Sequence, residues 1–172
     1  MSGQVFAALL RGINLGKRSL KMEDLRRIAT DLGLDAPKTY IASGNLLFQS
    51  DSNEGALKKT LESALADHMG APVGVMIRTA SELAEAVKAN PFADEDPRYT
   101  VAIFLDRAPP AGAASHAKNA AGERMALGKR EIYVHYPLGQ GQSRLAIPAA
   151  ATGTARNMNT VAKLAELAGE ME

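Results

Sequence analysis

Thr39-Tyr40-Ile41-Ala42-Ser43-Gly44-Asn45-Leu46-Leu47-Phe48 is the stretch from which the fold is read. Residues 39–41 and 46–48 are rich in β-formers, and Ser43-Gly44-Asn45 between them favours a turn or bulge, so the pair predicts a hairpin. Upstream, Val5-Phe6-Ala7-Ala8-Leu9-Leu10 is an apolar run closed by Arg11, the pattern of a buried strand. Met22, Leu25, Ile28, Ala29 and Leu32 recur at three- and four-residue spacing and predict a helix, with Ser19 as N-cap and Gly33 just past its end. Downstream, Asp51 and Glu54 have capping-box spacing. They open a helix carrying Leu57, Leu61, Ala64, Leu65 and Met69 on one face, which Gly70 stops. Residues 73–77 read as a further strand. The order is βαββαβ, that of a ferredoxin-like plait.

Working onward, Thr79 and Glu82 form a second capping box, and Asn90-Pro91 ends the helix it opens, because the residue before proline disfavours helix. Residues 94–97 are polar and mark an internal boundary. Residues 101–105 read as a strand, 109–122 as a short Ala-rich helix, and 124–127 with 132–136 as strands paired around Gly128. In the second of these Ile132, Val134 and Tyr136 share one face, while Tyr133 and His135 share the other. Residues 140–147 read as a short helix and 149–153 as a loop. Val161, Leu164, Ala165 and Ala168 define a last helix stopped by Gly169. The expected architecture is α+β: a ferredoxin-like N-terminal half over 1–78, a linking helix and loop over 79–99, and a second, plait-like βαββα half over 100–172.

Composition bounds the chemistry. With 46% hydrophobic residues a real core is within reach, and a net charge of +1 argues neither for nor against nucleic acid, so local clusters must decide. There is no cysteine, which excludes disulfides, thiol nucleophiles and cysteine-ligated metal sites. His68, His116 and His135 have no ligand spacing to one another, so no metal and no cofactor is expected. No run approaches the roughly 20 apolar residues of a membrane span, and the start lacks the features of a secretion signal. A cytoplasmic protein without a membrane partner is the expectation.

Three segments are candidates for chemistry. Gly12-Ile13-Asn14-Leu15-Gly16-Lys17-Arg18-Ser19 lies between a strand and a helix, the setting of a P-loop. It has three residues between its glycines where a P-loop has four, and Arg18 follows Lys17, so the pattern does not fit a Walker-type site. A looser anion site remains: Arg11, Lys17, Arg18, Lys21, Arg26 and Arg27 face only Glu23 and Asp24, six positive charges against two negative. A solvated basic face is the competing reading. At 154–160, Thr154, Asn157, Asn159 and Thr160 are more capping-type side chains than one N-cap needs, and Arg156 adds a guanidinium that can grip phosphate at two points. The alternative is a scaffold in which Arg156 pairs with a carboxylate. Ser43-Gly44-Asn45 lacks the Gly-x-Ser-x-Gly pattern and reads as a bulge, with Asn45 free to aim an amide at a ligand.

Several strings occur in order: Leu10-Arg11-Gly12-Ile13-Asn14-Leu15-Gly16, Thr39-Tyr40-Ile41-Ala42-Ser43-Gly44-Asn45, Asn90-Pro91-Phe92, Tyr136-Pro137-Leu138-Gly139 and Thr154-Ala155-Arg156-Asn157-Met158-Asn159-Thr160-Val161. Together they resemble the bacterial domain-of-unknown-function 1697 family along essentially the whole chain. That resemblance implies a bacterial cytosolic α/β protein and carries no established activity or catalytic residue. It places an aromatic residue where this chain has Met158, so it implies no stacking role there. From the residues themselves the leading expectation is a protein that binds an anionic, phosphate-bearing ligand, a nucleotide or nucleic acid. The contacts would be Arg11, Asn14, Lys17, Ser43, Asn45, Arg156, Asn157 and Asn159. An enzyme acting on a small anionic metabolite, with Ser43 or Tyr40 carrying a proton, is the second hypothesis. A structural homodimer without ligand is the third.

Overall fold

The computed structural model describes residues 3–15 and 18–172, which fold into two compact units. One holds the chain up to Glu82 together with Leu164–Glu172; the other is Leu83–Lys163. The expected segments 1–78, 79–99 and 100–172 divide the chain differently, since its last nine residues join the first unit. Among the described residues the protein is mixed α+β, with two four-stranded antiparallel sheets and four α-helices.

The first unit runs β1 (Gln4–Leu10), α1 (Met22–Asp31), β2 (Asp35–Thr39), β3 (Asn45–Ser50), α2 (Glu54–Met69) and β4 (Val75–Thr79), in the sheet order β2-β3-β1-β4. Strand alternation sends Phe6, Ala8, Leu10, Leu46, Phe48, Val75 and Ile77 to one face. There they pack with Leu25 and Ala29 of α1 and Leu57, Leu61 and Leu65 of α2. The opposite face, including Ala7, Leu9, Leu47 and Met76, is buried as well, so the central strands read as continuous apolar runs rather than alternating ones. The expected helix caps shift. Lys21, not Ser19, precedes α1, and its side chain makes no capping bond. Asn53 rather than Asp51 caps α2, its side chain accepting from the Ala56 N–H at 2.9 Å.

The helix α3 (Ala80–Lys88) begins directly after β4. Its capping box is made on both sides: the Glu82 N–H donates to Thr79 Oγ1 at 3.1 Å and the Thr79 N–H to Glu82 Oε1 at 2.8 Å.

The second sheet comprises β5 (Thr100–Phe104), β6 (Arg124–Leu127), β7 (Glu131–His135) and β8 (Thr154–Asn157), followed by α4 (Met158–Glu170). Its order, β6-β7-β5-β8, repeats that of the first sheet strand for strand. The expected βαββα order is corrected. Residues 109–122 form turns rather than a helix, because Pro109, Pro110 and Gly112 interrupt an Ala-rich run that has no apolar period. Residues 140–147 hold only the 3₁₀ turn Gln140–Gln142 and a bridge between Ala146 and Lys118. Residues 154–157, expected at the start of the last helix, are the strand β8.

The repetition extends to side chains. Arg78 and Arg156 are each the penultimate residue of a fourth strand, lie opposite Ala7 and Ala102 in the neighbouring strand, and are 1% and 7% exposed. In each, Nη1 donates to the carbonyl of the preceding residue, Ile77 at 2.9 Å and Ala155 at 3.0 Å. Each is followed by a residue that caps the next helix, Thr79 or Asn157.

Candidate functional site

One end of the first sheet is built by three loops. The Leu10 N–H donates to Gly44 O at 2.9 Å and the Arg11 N–H to Gly74 O at 2.8 Å, which sets residues 11–15 and 18–21 beside residues 40–44 and 71–74. Asn14 clamps two of them. Its Nδ2 donates to Leu20 O at 3.0 Å and to Ala42 O at 2.6 Å, and its Oδ1 accepts from the Leu20 N–H at 2.8 Å. With φ at 56° Asn14 is in the left-handed region, which asparagine tolerates better than most residues. Gly44, at φ 93°, is required for a second reason: a Cβ there would lie 2.6 Å from Ile13 Cδ1. Ile41 stands at φ 51°, an outlier for a β-branched residue, and is 48% exposed. Leu15, next to Asn14 in the chain, is 73% exposed.

The same end gathers cations. Arg11, Lys21 and Arg26 are exposed and Arg18 is half-buried. Arg18 Nη2 donates to Pro72 O, while its Nε is buried without a hydrogen-bond partner among the described residues. Arg26 Nη1 donates to Thr39 Oγ1 at 2.5 Å, which holds it over the end of β2. Arg18, Lys21 and Arg26 make no ion pair among the described residues, whereas Arg27 is neutralised by Asp24 at 2.8 Å. Lys17 lies outside the described residues.

Of the expected contacts, the structure brings Arg11, Asn14, Ser43 and Asn45 to this end, and it changes the role of two. Asn14 has both amide protons engaged by backbone carbonyls and is a clamp rather than a ligand contact. Asn45 is fully buried, its Nδ2 bonded to Tyr40 O at 2.9 Å and Ser43 Oγ at 3.0 Å, so it shapes the loop instead of aiming an amide outward. Arg156 sits in the interior of the second unit. Its Nη1 also donates to Thr154 Oγ1 at 2.8 Å, and burial pulls its pKa down to about 10. Asn157 spends its side chain on capping α4, accepting from the Thr160 N–H at 2.9 Å, and Asn159 is exposed beside it. A buried arginine thus stands at the same junction of both sheets.

A polar cluster in the second unit has no sequence signal, because strand pairing assembles it. His135 Nδ1 lies 3.0 Å from Thr100 Oγ1, and its Nε2 lies 3.7 Å from Glu95 Oε1. Arg124 is bonded to Glu95 and stacks over Phe92, 5.1 Å from the ring centroid. Thr100 is fully buried, so the trio resembles a hydrolase triad in composition but offers no accessible nucleophile. Among the described residues no group of His, Asp or Glu could hold a metal ion, and no helix is long and apolar enough to cross a membrane.

The profile of the family described as a protein of unknown function (DUF1697) matches residues 4–133. The chain belongs to that family. No curated protein matches it. Among solved structures, the conserved bacterial protein SP0830 from Streptococcus pneumoniae is similar over 98% of this chain and 99% of its own, with a TM-score of 0.81 at 24% identity. At that identity the likeness shows a shared fold.

Proposed function

We propose that the chain binds a phosphate-bearing ligand at the three-loop end of its first unit, through Arg11, Lys17, Arg18, Lys21 and Arg26, with Ser43 on the neighbouring loop. The carrying observation is that, among the described residues, Arg18, Lys21 and Arg26 gather there without a carboxylate partner and Arg18 keeps a buried Nε–H unsatisfied. A buried donor without an acceptor costs about 1–3 kcal/mol, a penalty that a phosphate oxygen relieves. Exposed Leu15 and Ile41 flank the cations, so the surface is open and suits an extended ligand; single-stranded nucleic acid fits better than a mononucleotide. The strain at Ile41 supports the same place, since such outliers cluster at ligand sites. The architecture belongs to this reading too: the first unit is a ferredoxin-like plait, supported by its βαββαβ order and its β2-β3-β1-β4 sheet. A cytoplasmic location, supported by the cysteine-free composition, completes it.

The test is fluorescence anisotropy with a labelled single-stranded oligonucleotide and with a mononucleotide. Arg18→Ala lowers affinity roughly ten-fold or more by removing a charge-assisted bond, and Arg11→Ala does the same. Arg156→Ala lowers the melting temperature and leaves affinity unchanged. Loss of binding in Arg156→Ala with an unaltered melt would move the site to the start of α4 and refute the proposal.

A further inference from the structure

The second unit contains a cavity of about 360 Å³, within the roughly 300–1,000 Å³ range of small-molecule sites. Two loops line it: residues 119–123, leading into β6, and 136–144, following β7. They carry opposite charges into one space. Glu123 comes from the first loop. Its Oε2 accepts from the Ser143 hydroxyl and its Oε1 from the Ala121 N–H, each at 2.5 Å. These bonds hold the carboxyl below the usual carboxylate range, so it is charged at neutral pH. Arg144, the residue after Ser143, comes from the second loop and is exposed. Neither Glu123 nor Arg144 makes an ion pair among the described residues, although both line the same cavity. Tyr136 lines it as well; it is 6% exposed, and its hydroxyl has no hydrogen bond among the described residues. Leu138, 77% exposed, gives the cavity an apolar side.

A fixed carboxylate beside an aromatic ring is the chemistry that holds an ammonium group, and a guanidinium is the chemistry that holds a carboxylate. We infer that this cavity binds a small zwitterion, a free α-amino acid, whose ammonium group meets Glu123 and Tyr136 and whose carboxylate meets Arg144. The site lies wholly within the second unit.

The experiment is a titration of the ¹⁵N-labelled full chain, followed by amide correlation spectra. The probes are glycine, L-serine and L-leucine, each beside its N-acetyl and its amide form. The free amino acid shifts the signals of residues 119–123 and 136–144 saturably, and blocking either end weakens binding at least ten-fold. In Glu123→Gln the free and N-acetyl forms bind alike; in Arg144→Gln the free and amide forms do. Should Glu123→Gln fail to fold, the blocked probes on the wild-type chain decide alone. Absence of saturable shifts for all three amino acids, or blocked forms that bind as tightly as the free ones, overturns the inference.

Discussion

Replacing Asn14 by alanine removes the clamp between two of the three loops at the proposed site. Three hydrogen bonds disappear, at 3.0, 2.6 and 2.8 Å. At about 0.5–1.5 kcal/mol net for each, and with one side chain making all three, the loss amounts to about 2–3 kcal/mol. Alanine must also hold the left-handed backbone at φ 56°, which adds about 1 kcal/mol. Asn14→Gly loses the same bonds without the steric term, so it is less damaging than Asn14→Ala by about that amount. For a chain of this size each kcal/mol moves the melting temperature by about 2–4 °C, which puts the Asn14→Ala transition about 6–16 °C below wild type. Urea denaturation followed by circular dichroism gives the free energies directly. A cost for Asn14→Ala within about 0.5 kcal/mol of zero, the scatter of ordinary surface changes, would refute the clamp. A glycine variant worse than the alanine variant would refute the backbone part of the reasoning.

Two further outcomes follow from named contacts. Tyr133 donates its hydroxyl to Ala86 O at 2.6 Å in the buried interior of the second unit, so Tyr133→Phe strands that carbonyl and costs about 1–3 kcal/mol by urea denaturation; an unchanged midpoint would contradict it. The Arg98 guanidinium and N–H hold the Asp96 carboxyl at about 2, below its ordinary 3.8, so its contribution to stability is present above pH 4 and is lost as pH falls from about 4 to 2. Asp96→Asn flattens that part of the acid limb, and an acid limb identical to wild type would exclude the pair as its source.

The first unit is legible because its signals are strong and local. Apolar runs at 5–10 and 46–48 and the periodic Leu57-Leu61-Leu65 stripe all lie where the structure buries them. β8 is hidden because its buried residues are Thr154 and Arg156, which carry no apolar pattern; β5 alone makes the segment a strand. Several acceptors stand near each helix start, and spacing alone does not choose among them, so the sequence points to Ser19 and Asp51 where Lys21 and Asn53 stand. The site divides in the same way. The basic excess around Arg11 and Arg18 is visible in the residues. Whether Asn14 and Asn45 point out to a ligand or in to backbone carbonyls depends on the approach of distant loops. The Glu123–Arg144 cavity depends on the pairing of β6 with β7, which no single stretch of sequence displays.

The salt dependence of single-strand binding reports how many phosphates the cations of the first unit neutralise. Each phosphate neutralised by a lysine or arginine contributes about 0.7 to the slope of log K against log salt for a single strand. With four or five cations engaged, the wild-type slope is about −3, and Arg11→Ala, Arg18→Ala and Lys21→Ala combined bring it close to about −1. A wild-type affinity that does not change with salt, or a slope the triple variant leaves intact, would contradict a phosphate-binding end on the first unit.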